Sequence, residues 1–421
     1  MNAKKIFEFL NSAGWVAHTH QQYRTPEEIL YRLRSENLER AEQIKLQEEI
    51  ILHRKMNAIP FFIETLDKKF WFFPSDSILQ KAQDIEKLGN QLHQKITENP
   101  DFKEEFMRDS KVEEAITSAI YEGANSTRAK AQELIESGNA PKNKDEWMLI
   151  NNFHAMNWIK NNLDKPLTHE LVLDLHRIVT QNTHEGDDAN FSGKFRNDTV
   201  YVRSNGGVKH EGIPFAKINP TLNEVVRLTT QHPRYFPKII RGMLIHYFIA
   251  YIHPFFDGNG RTARALFYFK SMKNNLNFVE LLSVSAYLKN NGRQYEKSFD
   301  KVIDNGLDMT YFIDFNLDAL LEAIRIVEKK VIYLTSIPKL KNVLNVSNTQ
   351  IGLLQRLSLN KFRMVSIEDY AAQMKKSREI SRQELKELSD LNLIEETKLG
   401  KKFVYKVMKS NLDKILEQQK K

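Results

Sequence analysis

The stretch "HPFFDGNGRTAR", residues 253–264, interrupts two apolar runs, "PKIIRGMLIHYFIAYI" before it and "ALFYFKSM" after it. The first run is apolar almost all round, which marks a candidate central helix. The interruption carries a histidine, an acid, two glycines around an asparagine and two arginines, groups that are costly to bury without partners. Pro254 lacks an N–H and disfavours helix at the residue before it, so the first helix should stop near His253. Gly258 and Gly260 admit backbone angles that let successive N–H groups point into one concavity. A new helix is expected from Arg261, which places its positive end at the same spot and makes an anion site. Arg261 and Arg264 share a face over its first turn, and guanidinium forks suit phosphate oxygens.

Asp257 offers a hard oxygen ligand beside such phosphates, in keeping with Mg²⁺, which takes one or two carboxylates plus phosphate oxygens and water. His253 is a titratable base on the same rim. Together these parts suit phosphoryl or nucleotidyl transfer. A calcium loop is excluded, because Thr262 stands where an EF-hand needs glycine and Tyr268 where it needs glutamate. A Walker A loop is excluded by the lack of Gly-Lys-Ser/Thr.

The rest of the composition narrows the setting. The 421 residues contain no cysteine, which removes disulfides, thiolate nucleophiles and cysteine-held zinc. No window approaches the roughly 18 uninterrupted apolar residues of a membrane span. The start has too short an apolar stretch for a signal peptide, so a cytoplasmic protein without membrane contact is expected. The net charge of +8 favours an anionic partner. Lysines 401, 402, 406, 409, 414, 420 and 421 crowd the last twenty-odd residues, as a solvated basic end or as a nucleic-acid contact.

Three regions are expected. Residues 1–105 form an N-terminal helical region with a short hairpin at "FFIETLDKKFWFF". Residues 106–330 are mostly helical, with Thr168 capping one amphipathic helix and Asn205-Gly206 turning a hairpin. Residues 331–421 read as three helices, with Ser366 and Ser377 as N-caps, then strand, Gly400 turn and strand. That order suggests a winged helix. The fold class is mostly α.

At every specified position, "HPFFDGNGRTAR" matches the signature of the Fic family, His-x-Phe-x-Asp/Glu-Gly-Asn-Gly-Arg-x-x-Arg. "LHRIV", "GKFRNDTVYV", "IIRGMLIHY" and "DMTYFIDF" resemble family stretches in the expected order. The resemblance implies a helical Fic fold with one hairpin flap, and transfer of AMP from ATP to a hydroxyl of a target protein, releasing pyrophosphate. His253 would take the hydroxyl's proton and Asp257 would hold Mg²⁺. Gly258, Asn259 and Gly260 would line the α-phosphate. Arg261 and Thr262 would belong to the nucleotide site, and Arg264 would grip the γ-phosphate. Phe255 would anchor the loop, and Tyr295 would contribute to the adenine wall. Gly260 argues against the kinase-like Doc branch, which has lysine there. The hairpin at 199–210 would be the flap that registers the target backbone.

"SAIYEG", 118–123, resembles the family's inhibitory pattern, Ser/Thr-x-x-x-Glu-Gly/Asn. By that resemblance Ser118, Glu122 and Gly123 form a brake, with Glu122 pairing to Arg264 in place of the γ-phosphate. The same glutamate could serve the reverse reaction, removal of AMP. The expected function is an autoinhibited protein adenylyltransferase. The alternative is a DNA-binding regulator whose winged helix matters most, with a silenced or sensing Fic domain. A homodimer stays open.

Overall fold

The computed structural model describes residues 8–32, 39–184, 190–204, 207–359, 363–400 and 402–418. Two compact units emerge, Met1–Asn90 with Lys111–Ile324, and Gln91–Ser110 with Arg325–Lys421. Among the described residues no helix is long and apolar enough to cross a membrane.

In the larger unit, α1 (Pro26–Arg32) and α2 (Arg40–Asn57) lead into an antiparallel hairpin of β1 (Ile59–Ile63) and β2 (Lys68–Phe72). Its inward residues Phe61, Phe70 and Phe72 are fully buried. Then follow α3 (Asp76–Thr97) and α4 (Pro100–Tyr121), whose residues between 91 and 110 belong to the smaller unit, and α5 (Arg128–Ser137), α6 (Lys144–Asn161) and α7 (His169–Thr180). Thr168 caps α7 by accepting from the Leu171 N–H at 3.3 Å, satisfying a first-turn donor. A second hairpin pairs β3 (Tyr201–Ser204) with β4 (Gly207–Glu211), with an irregular register between Val202 and Arg203. Its turn residues Asn205 and Gly206 lie outside the described residues.

α8 (Ile218–Thr230) precedes α9 (Lys238–Ile252), which is buried along nearly its whole length, as its all-round apolar sequence requires. α10 (Asn259–Lys273) packs back along α9. It begins two residues before Arg261, the expected start. Gly258, at φ 80°, serves as its N-cap, and the Thr262 N–H already bonds the Gly258 carbonyl at 2.9 Å. α11 (Val284–Asn290), α12 (Gly292–Asp304) and α13 (Thr310–Ser336) follow, α13 belonging to the smaller unit from Arg325 onward.

The smaller unit contains α14 (Asn348–Leu357), α15 (Ile367–Met374) and α16 (Arg378–Asp390), capped by Ser347, Ser366 and Ser377. A hairpin of β5 (Ile394–Leu399) and β6 (Lys402–Val407) comes next, with Val365 adding an antiparallel bridge to Tyr405. α17 (Lys409–Gln418) buries Leu412 and Leu416, so this part of the lysine-rich end is a packed helix. Lys401, Lys420 and Lys421 lie outside the described residues.

Candidate active site

The loop between α9 and α10 is held from every side. His253 ends α9 in the left-handed region, φ 50°, a conformation that a non-glycine residue keeps only where its surroundings enforce it. The Arg196 Nε donates to the His253 carbonyl at 2.8 Å, and the Arg196 N–H donates to the Pro254 carbonyl at 3.0 Å. Phe255 is fully buried and stacks on His176, centroids 3.6 Å apart and planes within 4°. The Asn259 side chain folds back, accepting from the Phe255 N–H at 3.0 Å and donating to the Phe255 carbonyl at 2.8 Å.

His176 fixes the acid's backbone. Gly193 donates its N–H to Nδ1 at 3.0 Å, so Nε2 carries the proton and donates to the Asp257 carbonyl at 3.0 Å. Burial pushes this imidazole down to about 3, so it stays neutral. Gly258 must be glycine: a Cβ there would meet Thr180 Cγ2 at 2.5 Å, and its φ is left-handed.

His253 itself is pulled down to about 4 by burial, with His210 and Arg196 adding to the shift and the Ala250 carbonyl and Glu122 opposing it. Its Nδ1 lies 3.3 Å from the Ala250 carbonyl, which assigns the proton to Nδ1 and leaves Nε2 bare. Asp257 accepts from the Gly258 N–H at 2.6 Å and from Arg261 Nη2 at 3.1 Å. Burial raises its pKa, but Arg261 and the Gly258 N–H outweigh that and hold it below the ordinary carboxylate value. Arg261 is buried and also donates to the Val179 carbonyl at 2.7 Å. Thr262 is fully buried within α10.

Arg264 is buried against the end of α4. Its Nε donates to Ser118 Oγ at 2.9 Å, and its Nη2 reaches the Ser118 carbonyl at 3.3 Å and Glu122 Oε1 at 2.8 Å. Tyr121 lies 5.5 Å beneath the guanidinium. Burial disfavours the charge, Glu122 favours it, and the net effect raises the pKa. Gly123, at φ 93°, stops α4 just past Glu122. A Cβ on Gly260 would collide with the Glu122 carboxylate, so that side chain could not keep its present place beside a larger residue.

A cleft of about 700 Å³ joins these parts. Glu122, His253, Asn259, Gly260 and Tyr295 line it, together with Val202 and His210 of the second hairpin. Asp257, Arg261, Thr262 and Arg264 are not part of that lining. Tyr295 is buried, its hydroxyl 2.8 Å from His246 Nε2 and its ring edge-on to Tyr121 at 5.9 Å. Among the described residues no three acids or histidines converge on one point. Residue-level reading assigned no role to His176, Arg196, His246 or Tyr121. The first three sit in apolar or loop contexts whose local pattern carries no signal, and Tyr121 is an ordinary residue of the "SAIYEG" helix end.

Comparison with known proteins agrees with this geometry. Residues 166–269 match the model of the Fic/DOC family. The chain is 32% identical over 156 residues to protein adenylyltransferase Fic of Drosophila erecta, covering 35% of this chain and 30% of that protein. To the protein of that name from Nematostella vectensis it is 26% identical over 166 residues, covering 37% of each. The chain thus spans about a third of the length of these curated relatives. The crystal structure of a Fic family protein from Desulfovibrio desulfuricans G20 superposes with a TM-score of 0.53 at 16% identity, over 79% of this chain and 95% of that one, a likeness of fold. The signature loop lies within the residues that match the Fic/DOC family, so this domain is similar to that family, and the curated relatives it matches bear the name protein adenylyltransferase Fic.

Proposed function

We propose that this chain transfers AMP from ATP to a hydroxyl side chain of a target protein or of itself, and that Glu122 restrains the transfer. The observation that carries the reading is His253. It is a neutral imidazole with a bare Nε2, facing the same cleft as the first turn of α10. The hydroxyl proton passes to Nε2, the oxygen bonds to the α-phosphorus, and the bond to pyrophosphate breaks. First-turn N–H groups at Asn259 and Gly260 have no intrahelical acceptor and point positive charge at the developing anion. Arg261 and Arg264 supply further charge for the phosphates.

Asp257 suits Mg²⁺: it is ionised, its side chain is 44% exposed, and a single carboxylate is enough when phosphates complete the shell. A bound Mg²⁺ would neutralise phosphate charge. The restraint follows from competition. While Glu122 occupies the Arg264 guanidinium, that fork is denied to the γ-phosphate, and the triphosphate lacks the posture for in-line attack. With radiolabelled ATP, Glu122→Gly should label protein at least tenfold more than the parent, on the scale of one charge-assisted contact. His253→Ala in that background should abolish labelling. Equal labelling of parent and Glu122→Gly would remove the brake, and full labelling by His253→Ala would remove the base.

A second reading concerns the smaller unit. Three capped helices, a hairpin and the Val365–Tyr405 bridge support the reading of this unit as a winged helix. Arg378, Arg382 and Lys386 are exposed one turn apart along α16, and Lys398 and Lys402 are exposed on the hairpin. Arg378 also meets Glu368 at 2.5 Å. This arrangement supports contact with a duplex backbone. Binding to DNA should weaken steeply as salt rises, and a flat response would leave the domain a protein-binding module.

A further inference from the structure

We infer that a second cleft, beside the flap, receives the stretch of target next to the acceptor hydroxyl, with an apolar side chain in its floor and an acidic one at its rim. The inference rests on the transferase reading above. This cleft, of about 500 Å³, shares His210, Tyr251 and Ile303 with the reaction cleft, so one extended segment can run through both.

Its walls come from three distant parts of the chain. The N-terminal hairpin supplies Leu66 and Lys68, the segment leaving the flap supplies Pro214 and Lys217, and the connection from α12 to α13 supplies Leu307. Each wall is pinned. Lys68 Nζ donates to the Tyr251 hydroxyl at 2.6 Å and sits 5.3 Å from its ring. The Thr65 N–H donates to the Glu224 carboxylate at 3.1 Å, tying the hairpin tip to α8. The Ile213 N–H bonds the Ile252 carbonyl at 3.3 Å, which fixes the start of the segment next to His253.

Leu307 is the telling residue. It adopts φ 67°, a left-handed backbone that a bulky side chain avoids. Its carbonyl accepts from the Trp71 N–H at 3.1 Å, the Met309 N–H returns to the Trp71 carbonyl at 2.8 Å, and the Trp71 indole donates to the Gly306 carbonyl at 2.8 Å. Strand β2 thus holds the residue in this conformation, as strained residues are held at ligand sites. Its side chain lines the cleft with Leu66, Pro214 and Ile303, an apolar floor.

The rim decides the charge. Lys68 and Lys217 are both exposed there, against one acid, Glu211. A target strand laid along the flap presents alternate side chains to one side, so an apolar residue and an acid near the hydroxyl would meet floor and rim together. The N-terminal hairpin is then a target-reading element.

The test uses the full chain carrying Glu122→Gly, labelled ATP, and position-scanned peptides with one Ser, Thr or Tyr. Peptides with Leu or Ile and a neighbouring Glu should label about tenfold better than those with Lys in place of Glu, the scale of a small set of charge contacts. Adding Lys68→Glu and Lys217→Glu should erase or invert that preference, and Lys217→Glu alone, which leaves the Lys68–Tyr251 contact in place, should weaken it. Labelling indifferent to the flanking residues, a preference for basic peptides, or a preference that survives the charge reversal would overturn the inference while leaving the transferase standing. Failure of the Glu122→Gly chain to label peptides or itself with any nucleotide would instead overturn the transferase reading, and this inference with it.

Discussion

His253 is neutral because it is buried, and this sets how the reaction should answer to pH. Its pKa lies near 4 rather than 6.5, so the free protein holds the base form throughout the range from pH 5 to 8. For the Glu122→Gly variant, kcat/KM should be flat over that range, with any acidic limb well below 6. A limb centred near 6.5 would mean that the imidazole is solvated and not the residue described. The role proposed for this histidine comes from its motif. Its lowered pKa was not, because the shift comes from packing around the ring. His176 is the complementary case: in "LDLHRIV" it reads as one more residue of an amphipathic helix, yet it holds the Asp257 carbonyl in place.

At the scale of elements, the end of α4 and the start of α10 act as one unit. Ser118 and Glu122 are four residues apart, share a helix face, and both reach Arg264. Ser118→Ala would remove the acceptor of the Arg264 Nε and keep the Glu122 ion pair. A hydrogen bond to a charged group contributes about 1.5–3 kcal/mol, so the brake should loosen without releasing. Labelling by Ser118→Ala should fall between that of the parent and that of Glu122→Gly, with the helix intact because alanine favours it. Labelling equal to the parent would confine the brake to Glu122. Element boundaries were mostly readable from Pro254, Thr168, Ser366 and Ser377. The start of α10 was not, because whether Asn259 is helical depends on its side chain finding Phe255 across the loop.

For the molecule as a whole, buried titratable groups predict the stability profile. His176 and His246 are held near 3 and His253 near 4, all chiefly by burial. Between those values and 6.5 the unfolded chain binds more protons, so stability falls as pH drops through 6.5. Asp308 opposes this: burial lifts it to about 6, so the folded state takes up its proton first and gains stability between 6 and 3.8. Three histidines outweigh one acid, for a net loss on the order of 4 kcal/mol from pH 7 to pH 5. Thermal melts at pH 7, 6 and 5 should show Tm falling by several degrees, and a constant Tm would mean the histidines are not desolvated. Asp308 belongs to the seam that joins the N-terminal region to α13. There Tyr23 donates to it at 2.5 Å, and Arg54 bonds the Arg24 carbonyl, the His18 carbonyl, Thr19 and Tyr311. Nothing in the sequence of that region announced such a seam.

The amino-acid order alone determined the caps and the composition of the 253–264 loop, because proline, glycine and capping side chains act within about four residues of themselves. Family resemblance added the pairing of Glu122 with Arg264. Only the tertiary structure decided what lies under the loop, which atom of His253 is bare, and that Lys68 and Leu307 share a wall with Tyr251. Those contacts join residues far apart in the chain, and they are set by how whole elements pack rather than by any local pattern.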